Sequence, residues 1–323
     1  MTKSEDKQIQ NTIINNRPHL SPSSVQVYMS SIRAVSKLIN KPLLNVDDII
    51  ENYEEILNAM IETYKPSIRK TKIASFIVAI DRKKENTEKI NEIIKLYREQ
   101  LFNDSEKSAE REIEQKMTET QEEAYIPWED VESTYEELKL QCIPLFRLKH
   151  YDASIFDKLQ QYVLLSCYVL IPPRRSKDYA DFKINGDIDK EEHNYMIIKG
   201  KNKTAQFVFN SYKNAKRLGA QIVDIPNELK NIILKWKAIS GSDWLISTRS
   251  GTKITQVRIN QILNQIFYPK RISSSMLRHI YLTSKFGDVD LKALQTTTKN
   301  MGNSEIARTL KYVSKEHAEK EEE

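Results

Sequence analysis

The chain is short of glycine and cysteine and has no long apolar run, and each shortage excludes a class of protein. All seven glycines (Gly186, Gly200, Gly219, Gly241, Gly251, Gly287, Gly302) lie in the second part, so the first 185 residues contain none. A phosphate-cradling loop or a dinucleotide fingerprint needs glycines where the backbone closes on phosphate, and the later glycines, scattered singly, match neither. Nucleotide-driven chemistry is not expected. The two cysteines, Cys142 and Cys167, have neither metal-ligand nor framework spacing, which fits a reducing compartment and argues against structural zinc. No window approaches the roughly 18 uninterrupted apolar residues of a membrane span. The opening MTKSEDKQIQ lacks the apolar stretch of a secretory signal, so an intracellular, unsecreted protein is expected.

What is present is charge. The 323 residues carry 50 Lys+Arg against 45 Asp+Glu, with 39% hydrophobic and 29% charged residues, a length that supports two domains each with its own core. The net charge of +5 conceals its distribution. Residues 104–124 hold eight acidic and three basic side chains and residues 315–323 five acidic and two basic, which leaves +13 on the remainder. A basic body with acid confined to a connector and a tail fits a nucleic-acid partner and an affinity that falls with salt.

Periodicity divides the chain. Residues 1–19 are polar and predict a flexible arm. From Ser21-Pro22, a cap followed by proline at the first helical position, apolar residues recur at helical spacing (Val25, Met29, Ile32, Val35). Similar segments from about Asp47, after Pro66, and over Ile90–Leu101 complete a four-helix domain over residues 20–103. Residues 104–124 read as an acidic linker or exposed helix. A second domain spans residues 125–312, followed by a charged tail, 313–323. In it, helices are expected at Trp128–Leu140, Ile155–Leu170, from Pro226, Thr255–Phe267, Ser274–Phe286, Asp290–Thr298 and Ser304–Tyr312. Three alternating stretches, Tyr195–Lys199, Gln206–Tyr212 and Gln221–Ile225, predict a small antiparallel sheet. The fold class is mainly α with that sheet (α+β).

Four stretches matter together: Pro172-Pro173-Arg174-Arg175-Ser176-Lys177-Asp178-Tyr179, Phe209-Asn210-Ser211-Tyr212-Lys213, Ser275-Met276-Leu277-Arg278-His279, and Met301-Gly302-Asn303-Ser304 with Tyr312. In this order they resemble the catalytic domain of the tyrosine recombinases, or lambda-type integrases. That family uses an arginine, a hairpin lysine, a histidine-x-x-arginine-histidine run, a glycine-histidine-serine turn, and a tyrosine nine positions past that turn's histidine. Tyr312 stands nine positions past Asn303. The resemblance covers residues 125–312, and residues 20–103 would correspond to the family's helical core-binding domain. It implies a DNA substrate, a 3′-phosphotyrosine intermediate, no metal or ATP, and four protomers acting on two duplexes. The Pro-Pro-Arg-Arg and Phe-Asn-Ser-Tyr-Lys variants are more similar to forms from large DNA viruses and other mobile elements, so the expected setting is wherever the target DNA is: nucleus, cytoplasm or viral factory.

The chemistry accounts for that set. Cutting a strand without losing its bond energy calls for a covalent intermediate, which a tyrosine phenolate at phosphorus supplies, here Tyr312. Charge on the phosphorane calls for fixed cations, and arginine's planar fork grips two oxygens at once, a role for Arg174 and Arg278. The leaving 5′ oxygen needs a proton, assigned to Lys213 ahead of Lys201 and Lys216. The family's first histidine falls on Ser275 and its second on Asn303. Serine and asparagine can hydrogen-bond a phosphate oxygen but cannot relay a proton near neutral pH. His279 follows Arg278, about 100° round a helix, and is not expected to substitute.

Three alternatives stand beside a recombinase: a type IB-like topoisomerase, a catalytically weakened recombinase-derived DNA-binding protein, and, last, a metal-dependent nuclease, for which no paired-acid constellation is found. For DNA contact, Arg69, Lys70 and Lys72 open a basic helix. Asn260, Gln261 and Asn264 form a polar helix face whose amides could read adenine edges. Either set could equally be a solvated surface.

Overall fold

The computed structural model describes residues 7–114, 117–184, 193–199, 204–286, 297 and 299–301. The chain divides into two compact units, Met1–Glu114 and Gln115–Glu323.

The first unit is all helical: α1 (Lys7–Asn16), α2 (Pro22–Leu38), α3 (Val46–Glu51), α4 (Tyr53–Thr63), α5 (Pro66–Ile80) and α6 (Glu88–Glu114). Helix α5 is at its centre, packing on α1, α2, α3, α4 and α6. Its second half, Ile73 to Ile80, is apolar almost all round, the pattern of a helix buried on every side. Ser21 caps α2, with Pro22 at its first turn as expected. The helix expected from Asp47 is two helices. Asn45 and Asp48 form a reciprocal capping box that starts α3, and Asn52, at φ −108° and ψ 17°, breaks the run before α4.

The flexible arm of residues 1–19 is a correction. Residues 7–16 form α1, whose Ile9 and Ile13, one turn apart, are fully buried in the core of the first unit. Burial of the two isoleucines contributes roughly 1.5–3 kcal/mol each and ties this helix to the core. Arg17 closes the segment with an ion pair to Asp81 at 2.7 Å. The linker of residues 104–124 is likewise corrected at both ends. Asp104 is 1% exposed inside the first unit, while Met117 and Ala124 belong to the core of the second.

The second unit contains α7 (Glu119–Ala124), α8 (Trp128–Leu145), α9 (Ala153–Val169), α10 (Ser176–Ala180), α11 (Ala215–Leu218), α12 (Asn227–Ser240), α13 (Gln256–Ile266) and α14 (Ser274–Phe286). Helix α9 is its axis, with an unbroken buried run from Tyr162 to Tyr168, and packs on α8, α12 and α13. The sheet has β1 (Phe182–Lys183), β2 (Asn194–Lys199), β3 (Thr204–Phe209) and β4 (Gln221–Ile225) in that order. The last three pair antiparallel as expected, whereas the two-residue β1 joins parallel to β2 and makes the sheet mixed. Two residues are too few to show an alternating pattern in a sequence. The helices expected at Asp290–Thr298 and Ser304–Tyr312 lie outside the described residues, apart from Thr297, which is helical. Among the described residues no helix is long and apolar enough to cross a membrane.

Candidate active site

Helix α9 ends at Val169, and Pro172-Pro173, which lack amide donors and favour extended neighbours, carry the chain straight into Arg174 and Arg175 before α10 begins. Arg174 is fully buried. Its Nε donates to Asp178 Oδ2 at 2.9 Å, its Nη1 to Gln221 Oε1 at 3.0 Å and to the Asn300 carbonyl, and its guanidinium lies 3.7 Å from the Phe209 ring centre. Arg175, next along the chain, occupies the N-cap position of α10 and is half-buried. Arg278 on α14 is 1% exposed. Asp178 stands among them. Burial pushes its carboxyl up, and the positive charges of Arg174, Arg175 and Arg278 oppose that shift. Three cations around one enclosed carboxylate leave a net positive centre, the electrostatic setting that a phosphoryl group seeks.

Helices α10, α13 and α14 interlock beneath it. The Ser176 amide donates to Ser274 Oγ at 3.3 Å, and the Ser274 amide to Asn260 Oδ1 at 3.0 Å. Asn194, fully buried, donates to the carbonyls of Asp178 and Ser211 at 2.7 and 3.0 Å, pinning α10 to the sheet.

Asn303 and Tyr312 lie outside the described residues, but the segment leading to them is attached to this centre. The Lys299 carbonyl accepts from Gln221 Nε2 at 3.0 Å, the Asn300 carbonyl accepts from Arg174, and Met301 is fully buried. The arginine found by motif is thereby linked to the chain three residues before Asn303.

Lys213 is exposed in the connection between β3 and β4. The preceding Tyr212 has its ring 5.4 Å from the Arg174 guanidinium and its hydroxyl on the Gly219 carbonyl at 2.8 Å. Strands β2 and β3 pair antiparallel, and Lys201, ranked lower from sequence, falls in the connection between them, residues 200–203, outside the described residues. Ser275 is exposed one turn before Arg278 on α14. His279 is 5% exposed with Nδ1 3.4 Å from Thr283 Oγ1 one turn on.

The DNA-contact candidates need correction. Arg69 is 7% exposed: Nε and Nη2 grip both Asp104 oxygens at 2.8 and 2.5 Å, and Nη1 caps the Ile61 and Tyr64 carbonyls at the end of α4. A basic residue in the first turn of a helix reads as exposed until its carboxylate, 35 positions away, is found. Lys70 and Lys72 are half-buried, and Lys72 lies over the Tyr64 ring at 4.4 Å. Asn260 spends its side-chain oxygen on the start of α14, and Asn264 Oδ1 is buried, so neither offers a base-reading amide edge. Gln261 is exposed. The outward stripe of α13 is Val257, Gln261 and Gln265, spaced by four and flanked by Arg258, whose Nη1 meets Gln261 Oε1 at 3.3 Å. Among the described residues no cluster of three or more His, Cys, Asp or Glu is placed to hold a metal ion.

The sequence matches no family model and no curated protein. The structure is similar to a lambda integrase dimer bound to a COC′ core site, with a TM-score of 0.54 at 11% identity over 95% of this chain and 93% of that one. A second structure of a lambda integrase dimer on the same kind of site gives 0.50 at 13% identity, over 95% and 76% of the two chains. The fold is that of the tyrosine recombinases.

Proposed function

We propose that the chain is a DNA recombinase, an integrase of a virus or other mobile element, that cuts and rejoins strands through a covalent 3′-phosphotyrosine on Tyr312. The observation that carries this reading is the arginine centre around Asp178, tied through Arg174 to the segment leading to Asn303 and Tyr312, within a tyrosine recombinase fold. The Tyr312 phenolate attacks phosphorus, the bond to the 5′ oxygen breaks, and a lysine of the sheet region, Lys213 or Lys201, protonates the leaving oxygen. Arg278 and Arg175 are the forks on the non-bridging oxygens. Arg174, whose Nε and Nη1 are engaged inside the protein, holds the frame. These steps use only side chains of this chain, and the reading includes neither metal nor ATP. Gln261, with the α13 stripe around it, is the DNA contact of the second unit, and Lys70 and Lys72 are contacts of the first. The domain roles follow: a core-binding first unit and a catalytic second. Four protomers on two duplexes is the working assembly.

A weakened, DNA-binding descendant is the second reading, favoured by Ser275 at a family histidine position and by His279, whose ring meets Thr283. A nicked, trapping duplex incubated with wild type and Tyr312→Phe in chelator separates them. A denaturation-resistant adduct lost in Tyr312→Phe supports the recombinase. Tight binding with no adduct on any duplex supports the descendant. Relaxation of supercoils without strand exchange would indicate a topoisomerase.

A further inference from the structure

The loop between α12 and α13 folds back on itself. Ser247 and Lys253 pair as an antiparallel bridge, the Thr248 amide donates to the Thr252 carbonyl at 2.8 Å, and Gly251 takes the turn at φ 79°. Between this loop, the first half of α9 and the start of α13 is a cavity of about 480 Å³. That is within the size range of small-molecule sites and far above the roughly 30 Å³ share of one water. The buried part of its lining is mixed. Phe156 and Ile254, 9% and 6% exposed, supply apolar surface, whereas Gln160 and Ser247, 5% and 1% exposed, are polar. The Ser247 amide donates to Gln160 Oε1 at 2.9 Å, which fixes the orientation of that carboxamide and leaves Nε2 as a donor with no partner among the described residues. The Ser247 hydroxyl is buried and likewise has none among them. Enclosed polar groups without partners are costly, so both mark the cavity as a place for a polar occupant.

The rest of the lining sets the sign of that occupant. Arg249, Lys253 and Arg258 stand against one carboxylate, Asp157, which Arg249 grips with Nε at 3.2 Å and with Nη2. Lys253 is shared with Asp181 outside the lining, and Arg258 Nη1 meets Gln261 Oε1 at 3.3 Å. Thr255 already caps the first turn of α13, so side chains and not the helix start supply the positive charge. We propose that this cavity binds a free phosphate ester of mononucleotide size, its phosphate held by Arg258, Lys253 and the Gln160 Nε2 donor and its apolar body covered by Phe156 and Ile254. A paired duplex turns phosphates and sugars outward and keeps its bases stacked, so it covers a basic rim without filling a recess lined by nine-tenths-buried residues. The scarcity of glycine, which argues against a backbone cradle for phosphate, does not bear on a site made of side chains, and no bond is made or broken there. The cavity shares no residue with the arginine centre around Asp178, and the proposal does not rest on the recombinase reading.

The test titrates thymidine 5′-monophosphate and inorganic phosphate by calorimetry into the full-length chain without DNA, as wild type, Gln160→Glu and Arg258→Met, with urea unfolding measured alongside. Glutamate keeps the acceptor for the Ser247 amide, removes the unpartnered donor and adds a negative charge, so Gln160→Glu weakens nucleotide binding about tenfold or more. Arg258 is half-buried, so Arg258→Met keeps the fold even where Gln160→Glu unsettles it, and it too weakens the nucleotide about tenfold. Inorganic phosphate, with no apolar body to bury, binds about tenfold or more weakly than the nucleotide. Duplex affinity of the same three proteins examines the other source of the same phosphate chemistry. No nucleotide binding, or binding equal in wild type and both variants, overturns the proposal. No nucleotide binding together with duplex affinity lowered about tenfold in both variants assigns the cavity to backbone phosphates and overturns the free ligand. Inorganic phosphate bound as tightly as the nucleotide overturns the part given to Phe156 and Ile254.

Discussion

Arg174 and Arg175 are adjacent but differ in burial and bonding, and the different roles proposed for them can be exposed by a pair of substitutions. Arg174→Met removes the bond to Asp178 at 2.9 Å, the bond to Gln221 at 3.0 Å, the bond to the Asn300 carbonyl and the stacking on Phe209. The partner left behind, Asp178, is fully enclosed. Removing one member of a buried pair costs about 3–5 kcal/mol. Arg175 and Arg278 still act on Asp178, and the carboxyl, already raised by burial, can take up a proton, so the lower end applies. A loss of about 3 kcal/mol is roughly a 150-fold fall in the folding equilibrium, survivable against a typical 5–15 kcal/mol. Arg175 is half-buried, whereas Arg174 is fully enclosed, so Arg175→Met should cost less stability than Arg174→Met. If it grips the phosphate, adduct formation should nevertheless fall by about 10²–10³. Urea unfolding and single-turnover adduct formation measure the two quantities on the same proteins. The assignment is refuted if Arg174→Met unfolds at the wild-type midpoint and fails to form adduct, while Arg175→Met keeps a rate within about threefold of wild type.

Other consequences are independent of the chemistry. Asp104→Ala leaves the Arg69 guanidinium enclosed in the first unit and should cost about 3–5 kcal/mol in urea unfolding, whereas the double variant Arg69→Met, Asp104→Leu should lie much closer to wild type. Burial pushes the Cys142 thiol up to about 12 and raises Cys167 as well, so neither should react with a thiol reagent at pH 8 in the native protein, and both should react in guanidinium. The hydrogen bond from Lys139 holds the Glu228 carboxyl below its ordinary value, with desolvation opposing and Tyr135 assisting. The unfolded chain then binds the extra proton first, so this contribution is present above about pH 4.5 and fades as pH falls through the lowered value. The pair is part-exposed and worth under about 1 kcal/mol, and Glu228→Gln should flatten that stretch of the acid-stability curve.

Helix α14 was legible in the sequence from Ser274 to Phe286, because its apolar residues repeat at one period and no competing signal interrupts them. The same holds for α13, where Thr255 caps the first turn. Helix α1 was not, since Ile9 and Ile13 are too few to stand out from a polar stretch, and their value arises only from the α2 and α5 surfaces they meet. The site divides along the same line. The motif singled out Arg174 and Arg278 and gave no role to Arg175, and that Arg174 turns inward depends on Asp178, Gln221 and a carbonyl 126 positions away, which no local pattern encodes. Asn260 and Asn264 were misread for a related reason. A polar face predicts solvent only when nothing packs on it, and α13 is covered by α10 and α14. Gln221 itself gave no signal beyond its place at a strand start.

On the proposed recombinase reading, the group that would remove the Tyr312 proton can be narrowed from the positions of the described histidines. Of the five, His19 and His150 are exposed, His193 packs edge-on against Trp244, and His317 lies outside the described residues. His279 adjoins Arg278 but is 5% exposed with its Nδ1 on Thr283. At the position one turn before Arg278, where an imidazole would face the same side of α14, the chain has Ser275, which does not titrate in this range. A reaction without an imidazole base should depend on the phenolate fraction itself, rising roughly tenfold per pH unit toward the ordinary phenol value of about 10. Adduct formation on the trapping duplex between pH 6 and 9 measures this slope directly, with His279→Gln expected to superimpose on wild type. A rate that levels off above an apparent pKa of about 6.5, and loses that limb in His279→Gln, would show that the histidine is the base after all and that α14 rotates when DNA binds.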